Sequence, residues 1–233
     1  MRLQRIAPPR LLPLVTLVFV AAVAAPPAQA VWTAPRTLTR PGFNVVAAGN
    51  AGGLEAFVWE ASSEYPRDDR SHVRARLRLP DGRLTAARTV SRTDRVVADA
   101  TVGVDARGTV TVVWTQAVRR RRFGPLSHVS IRAAVGGPSG RFGPPFRLGG
   151  TADFVDAEPR LAVAPNGDAV VLWSDHDGLR AVRRPPARCA TRRPRGCFGP
   201  VQRLPIGADH MVILGPRGTA YAAWAGWNAP ARR

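Results

Sequence analysis

The chain has 233 residues and no lysine: all 34 of its basic side chains are arginine. Lysine contacts phosphate well as a point charge, so a protein selected to bind nucleic acid has little reason to exclude it. The net charge of +18, with abundant Ala, Gly, Pro and Val, is read first as a GC-rich genome writing its surface in arginine. Selection for an anionic polymer is the second reading. Cysteine is scarce as well. Cys189 and Cys197 are its only two residues, and no zinc-ligand spacing is present. Nucleophile elbow, phosphate loop and the third member of a catalytic triad are missing too. The one long apolar run, Leu11 to Ala25, is shorter than the roughly 20 residues that cross a bilayer.

That run follows Arg2, Arg5 and Arg10 and precedes Ala28-Gln29-Ala30, a small-x-small cleavage pattern. We expect a signal peptide over residues 1–30, cleavage after Ala30, and a secreted protein without stable membrane insertion. Residues 31–233 are enough for one closed domain with one good core. An oxidising compartment predicts a disulfide between Cys189 and Cys197.

Against these absences stands a repeat. A glycine is followed six positions later by tryptophan four times: Gly53 and Trp59, Gly108 and Trp114, Gly167 and Trp173, Gly218 and Trp224. The tryptophans lie 55, 59 and 51 residues apart, a period suited to a supersecondary unit that buries its apolar face against its neighbours. Each unit opens with a short apolar strand, such as Val102-Gly103-Val104 or Leu161-Ala162-Val163. It turns at a glycine that supplies φ > 0 and returns through a strand apolar on both faces, as in Thr109 to Trp114. A third strand alternates over Val73 to Leu79, with arginine toward water, and turns at Pro80-Asp81-Gly82 into a fourth, Leu84 to Val90. Phe142 to Leu148 and Phe198 to Leu204 are its counterparts. Four antiparallel strands per unit predict an all-β, propeller-like array of four blades.

Trp32 to Leu38 has the form of a fourth strand without a blade, and the last repeat lacks its outer strands, so the N-terminal strand is expected to complete the final blade. The pattern from Trp32 to Trp224 resembles bacterial secreted β-propellers, including sialidase-like and Asp-box repeat proteins. The resemblance lies in period and strand pattern. Asp105-Ala106-Arg107-Gly108 and Trp114 do not have the Asp-box spacing, so no catalytic residue of those families is carried over.

Nine residues before each hairpin glycine stand Asn44, Asp99, Glu158 and Asp209. This register could place four polar groups around one mouth of the channel, where oxygens suit a polar ligand. The alternative is that each accepts a backbone or arginine hydrogen bond that ties blades together. The tryptophan column is expected in inter-blade packing, with Trp227 outside the repeat. His72 and His128 recur at the start of the third strand, and Asp175-His176-Asp177-Gly178 is read as a hairpin connection rather than a metal loop. Asp153, Asp156 and Glu158 are close in sequence, and arginine clusters at 119–122 and at Arg183, Arg184, Arg188, Arg192, Arg193 and Arg195 fall in expected connections. We expect a secreted, non-enzymatic binding or structural module without cofactor or metal. Its partner would be a glycan or a protein, and it would be a monomer or a ring-completing dimer. The alternatives are a sialidase-like glycoside hydrolase and an anionic-polymer binder acting through the arginine-rich loops.

Overall fold

In the computed structural model, residues 37–38, 42–62, 71–92, 95–119, 126–150, 157–186, 197–205, 208–215 and 218–225 are described. Among them there is no α-helix. The fold is a propeller-like array of antiparallel sheets. Blade 1 is formed by β1 (Phe43–Gly49), β2 (Glu55–Ala61), β3 (His72–Arg78) and β4 (Arg88–Thr89). Blade 2 follows with β5 (Val96–Val104), β6 (Val110–Arg119), β7 (Leu126–Gly136) and β8 (Phe146–Gly150), and blade 3 with β9 (Arg160–Val163), β10 (Ala169–Asp175), β11 (Gly178–Arg184) and β12 (Gln202–Arg203). Blade 4 has two described strands, β13 (Ala208–Leu214) and β14 (Ala220–Ala225). In every blade the strands pair in chain order as a meander.

The hairpin glycines behave as their spacing requires. Gly53, Gly108, Gly167 and Gly218 have φ of 79°, 79°, 92° and 78°, a region closed to most L-residues. Side chains beside them bond to the backbone of the turn. Asn50 Oδ1 accepts from Leu54 N at 3.1 Å, and Asp105 Oδ1 accepts from Arg107 N and Thr109 N at 2.9 and 2.8 Å. Successive hairpins are also joined: Asn50 Nδ2 donates to the Asp105 carbonyl, Ala106 N to the Pro165 carbonyl, and Arg183 Nη2 to the Gly218 carbonyl.

Trp59, Trp114 and Trp173 are fully buried, as the core column requires. Trp114 packs with Val58, Val73 and Leu77 of blade 1, and Trp173 with Val113, Ile131 and Ala133 of blade 2, so these two indoles fill the seams to the preceding blades. Each buries about 200 Å² of apolar surface. The seam is tight: a Cβ on Gly149 would lie 2.5 Å from the Trp173 ring.

Three expectations are corrected. The arginines of β3 do not simply face water: Arg74 lies 5.9 Å over the Trp59 ring, Arg76 donates to the Thr85 and Leu38 carbonyls, and Arg78 pairs with Glu55. The fourth strands are shorter than expected. Thr85 bonds to Leu77 through both its hydroxyl and its N–H, and regular pairing resumes only at Arg88–Thr89. In blades 2 and 3, Pro144, Pro145 and Pro200 have no N–H to give, and strand pairing begins only at Phe146 and Gln202. Arg183 and Arg184 lie in β11 rather than in a connection. Arg183 pairs with buried Asp168. Arg184 is itself buried, bonded to Thr111 Oγ1 and the Gly167 carbonyl and stacked 5.8 Å over the Phe198 ring. Arg184 belongs to the seam between blades 2 and 3, and its burial removes it from any polyanion patch, whereas Arg183 joins blade 3 to the Gly218 carbonyl of blade 4.

The leader, the segment from Trp32 to Arg36, Arg120 to Arg122, Asp153, Asp156, Arg188, Cys189, Arg192, Arg193, Arg195 and Trp227 lie outside the described residues, and with them the signal peptide, the closing strand and the disulfide.

Candidate functional site

The polar register nine residues before each hairpin glycine is a row of β-bulges. In blade 1, Phe43 pairs with Glu60 and Val46 with Val58, so Asn44 and Val45 together face Trp59. In blade 2, Asp99 and Ala100 face Trp114 in the same way, and in blade 4 Asp209 and His210 face Trp224. In blade 3, Glu158 and Pro159 occupy the matching place just before β9, where Ser174 N donates to the Ala157 carbonyl. The first bulge residue takes positive φ: 52° at Asn44, 54° at Asp99 and 32° at Glu158. Asn and Asp tolerate this conformation best among residues with a side chain, which gives the register a structural cause. The bulge also turns these side chains away from the strand's alternation.

Three of the four expected residues are thereby gathered. Asn44, Asp99 and Glu158 line one cavity of about 310 Å³ together with Glu60, Thr101 and Arg160. Asp209 lies in the β13 bulge, and its side chain is outside the described residues. Of the two carboxylates among the three, Glu158 does accept an arginine hydrogen bond, but from its own blade rather than from an adjacent one: it pairs with Arg160 at 2.6 Å. Burial pushes the Asp99 carboxyl up to about 6, helped by the nearby Glu158 charge and opposed by Arg160.

Glu60, which sequence reading passed over, is buried and touches both sides of the seam. Its carboxylate accepts from Ala100 N at 3.5 Å and is held by the Asn44 side chain and the Asp99 N–H. Burial raises its carboxyl above the ordinary range, with the Asp99 charge adding to the rise, while those hydrogen bonds lower it. Its position, one residue after the repeat tryptophan, is held by Thr115 and Ser174 in the next two blades. Ser174 makes the corresponding contact, with Oγ 3.2 Å from His210 Nδ1. His210 Nε2 lies 3.0 Å from the Glu158 carbonyl. A neutral imidazole protonated on Nε2 satisfies both, and burial lowers the His210 pKa in keeping with that form. His210 therefore fixes the backbone that carries Glu158.

The other candidates do not converge on this cavity. His72 starts β3, whereas His128 lies two residues inside β7 with φ of 51°. Asp175 pairs with Gly178 across a two-residue hairpin, as expected. The Asp175, His176 and Asp177 group could hold a cation by distance alone. Arg180 donates to both carboxylates, and Arg203 pairs with Asp177, so arginine already supplies the positive charge there.

No family model matches the sequence, and no curated protein matches it. Solved structures do resemble the fold. An α-L-arabinanase of Penicillium chrysogenum complexed with arabinobiose is 13% identical, with a TM-score of 0.43, over 74% of this chain and 54% of its own. A protein described with the GH130 mannoside phosphorylases and glycoside hydrolases that target β-1,2 mannosidic linkages in Candida mannan is 12% identical, with a TM-score of 0.39, over 76% of this chain and 58% of its own. A glycosyl hydrolase from Bacteroides ovatus is 10% identical, with a TM-score of 0.39 and the same coverage. The chain thus spans somewhat over half the length of these neighbours. The expectation of a non-enzymatic module is corrected: the neighbours are glycoside-processing enzymes, and the hydrolase alternative is the one carried forward, on the carboxylates of the cavity. The likeness is one of fold alone.

Proposed function

We propose that the protein is a glycoside hydrolase whose reaction takes place in the cavity at the bulged mouth of the array. The observation that carries this reading is the pair Asp99 and Glu158: two carboxyls in one cavity, one pushed up to about 6 and the other ion-paired with Arg160. Glycosidic cleavage needs two such groups in unlike environments. Asp99, protonated, gives its proton to the oxygen that leaves the anomeric carbon. Glu158, charged, faces the developing positive charge on the sugar ring and either attacks that carbon or takes a proton from the attacking water. Glu60 holds the Asp99 bulge through the N–H groups of residues 99 and 100.

Purified protein would be screened against aryl glycosides, sialosides included. Turnover should fall by about 10²- to 10⁴-fold in Asp99→Asn and in Glu158→Gln. In the wild type kcat/KM should decline as pH rises through about 6, where Asp99 loses the proton it donates. Absence of turnover across the panel, or turnover indifferent to Asp99→Asn, overturns the reading.

Export belongs to the same proposal. The secreted protein should begin at Val31 and show no free thiol, with Cys189 joined to Cys197. N-terminal sequencing and a thiol titration of the denatured protein check both.

A further inference from the structure

The repeat register shows which side of each blade meets which neighbour. In blade 1, the residues seven and five before the hairpin glycine, Val46 and Ala48, pack into the core shared with blade 2. Three residues after the glycine, Ala56, Thr111 and Val170 of blades 1 to 3 are buried. The same three positions in blade 4 are Met211, Ile213 and Tyr221, and they are 59%, 59% and 60% exposed. They form an apolar face on which no blade sits among the described residues.

At the other end of the array the opposite side of the register is open along the innermost strand of blade 1, although Trp59 on the next strand is buried. Ala100, Val102 and Val104 of blade 2 are buried against blade 1. At the bulge, Ala157 of blade 3 and His210 of blade 4 are buried too. Their counterparts in blade 1 are exposed: Phe43 by 44% and Val45 by 53%, with Ala47 and Gly49 beside them.

We propose that a second copy of this chain covers these faces, blade 4 of each copy seating on blade 1 of the other. The occupant follows from continuity with the seams inside the chain: three times over, the side of a blade that Met211, Ile213 and Tyr221 represent is covered by the side that Phe43 and Val45 represent. Both faces are exposed at once in a single chain, so blade 4 does not cover its own blade 1. A head-to-tail contact between unlike faces closes when the rotation allows. Two copies of four blades give a ring of about eight, within the size of closed propellers. The cavity lies on blades 1 to 3, so assembly and turnover are separate properties.

Sedimentation equilibrium of the full chain tests the proposal. The wild type should be a two-chain species at micromolar concentration. Val45→Glu and Ile213→Glu should each raise the dissociation constant by about 100-fold or more, with an unchanged circular dichroism spectrum. Mixing the two variants should restore a two-chain species, because each keeps the face the other has lost. If a charged variant unfolds, Tyr221→Ala serves as the milder truncation and should weaken association in the same direction. A wild type that stays single-chain overturns the proposal in favour of closure by the chain's own residues. So does a dimer that responds to only one face, or folded variants that fail to complement each other.

Discussion

The two mouths of the array use the same materials to opposite ends. Both carry backbone at positive φ, acidic side chains in register with the repeat, and contacts from each blade to the next. At the hairpin mouth the acids are consumed: Asp105 accepts two turn N–H groups and buried Asp168 accepts from Arg183. At the bulged mouth Asp99 stands beside Glu158 and near Glu60, and burial pushes it up to about 6. A register of acids in a repeat is therefore no evidence of either structure or chemistry until the donors around it are counted. Donors that meet a carboxylate favour its charged form, whereas burial, with a like charge nearby, favours the protonated form that Asp99 takes up to about pH 6.

The sharpest way to break this comparison is to remove an acid from the hairpin mouth. Asp105→Ala leaves the Arg107 and Thr109 N–H groups without their acceptor and takes a negative charge from near buried Arg184. The cost should be about 2 to 3 kcal/mol of unfolding free energy, with kcat unchanged while the protein remains folded. Loss of turnover in a folded Asp105→Ala protein would move the chemistry to the wrong end of the array.

At the bulged mouth the same kind of change should stabilise. Asp99 has a folded pKa near 6 against an ordinary 3.8. The native state therefore holds its proton over a range where the unfolded chain has released it. Stability contributed at this site falls as pH rises from about 4 to about 6, and the whole penalty is in place above that. Asp99→Asn removes the penalty and keeps a residue suited to positive φ. It should raise stability by about 1 kcal/mol at pH 7 to 8, allowing for screening by solvent, and by nothing near pH 4. Urea melts at the two pH values check this. A destabilised Asp99→Asn would show that the carboxylate is structural after all.

Much of this was legible in the sequence because repetition turns single residues into positions. The six-residue step from glycine to tryptophan follows from a hairpin glycine at positive φ and an indole opposite a bulge, and both are local. The row of Asn44, Asp99, Glu158 and Asp209 could be counted, and its preference for Asn and Asp was the sign of a positive φ. Glu60 could not be found this way, since its position holds Glu, Thr, Ser and Ala in turn and shares no chemistry. Arg184 was hidden for the opposite reason: it stands in an arginine-rich stretch, and only packing against Thr111 and Phe198 separates it from solvated neighbours. The fourth strands were read too long because their alternation was visible, whereas the interrupted pairing at Thr85 and the prolines was not given its weight.

The position after the repeat tryptophan supplies the smallest and most discriminating prediction. Glu60 in blade 1 bonds to Ala100 N in blade 2, and Ser174 in blade 3 bonds to His210 in blade 4. Blade 2 has Thr115 at this position, and the residue that corresponds to Ala100 and His210 in blade 3 is Pro159. Proline has no N–H and no side-chain polar group, and Thr115 Oγ1 is buried with no hydrogen-bond partner. A buried hydroxyl in that condition bears a desolvation cost without return, so an isosteric methyl should be tolerated or preferred. Thr115→Val should stabilise by a few tenths of a kcal/mol, up to about 1, whereas Ser174→Val should cost about 1 by depriving His210 of its contact. Chemical denaturation of the two variants side by side measures the difference. Equal destabilisation by both would mean that the seam between blades 2 and 3 is tied at this position like the other two.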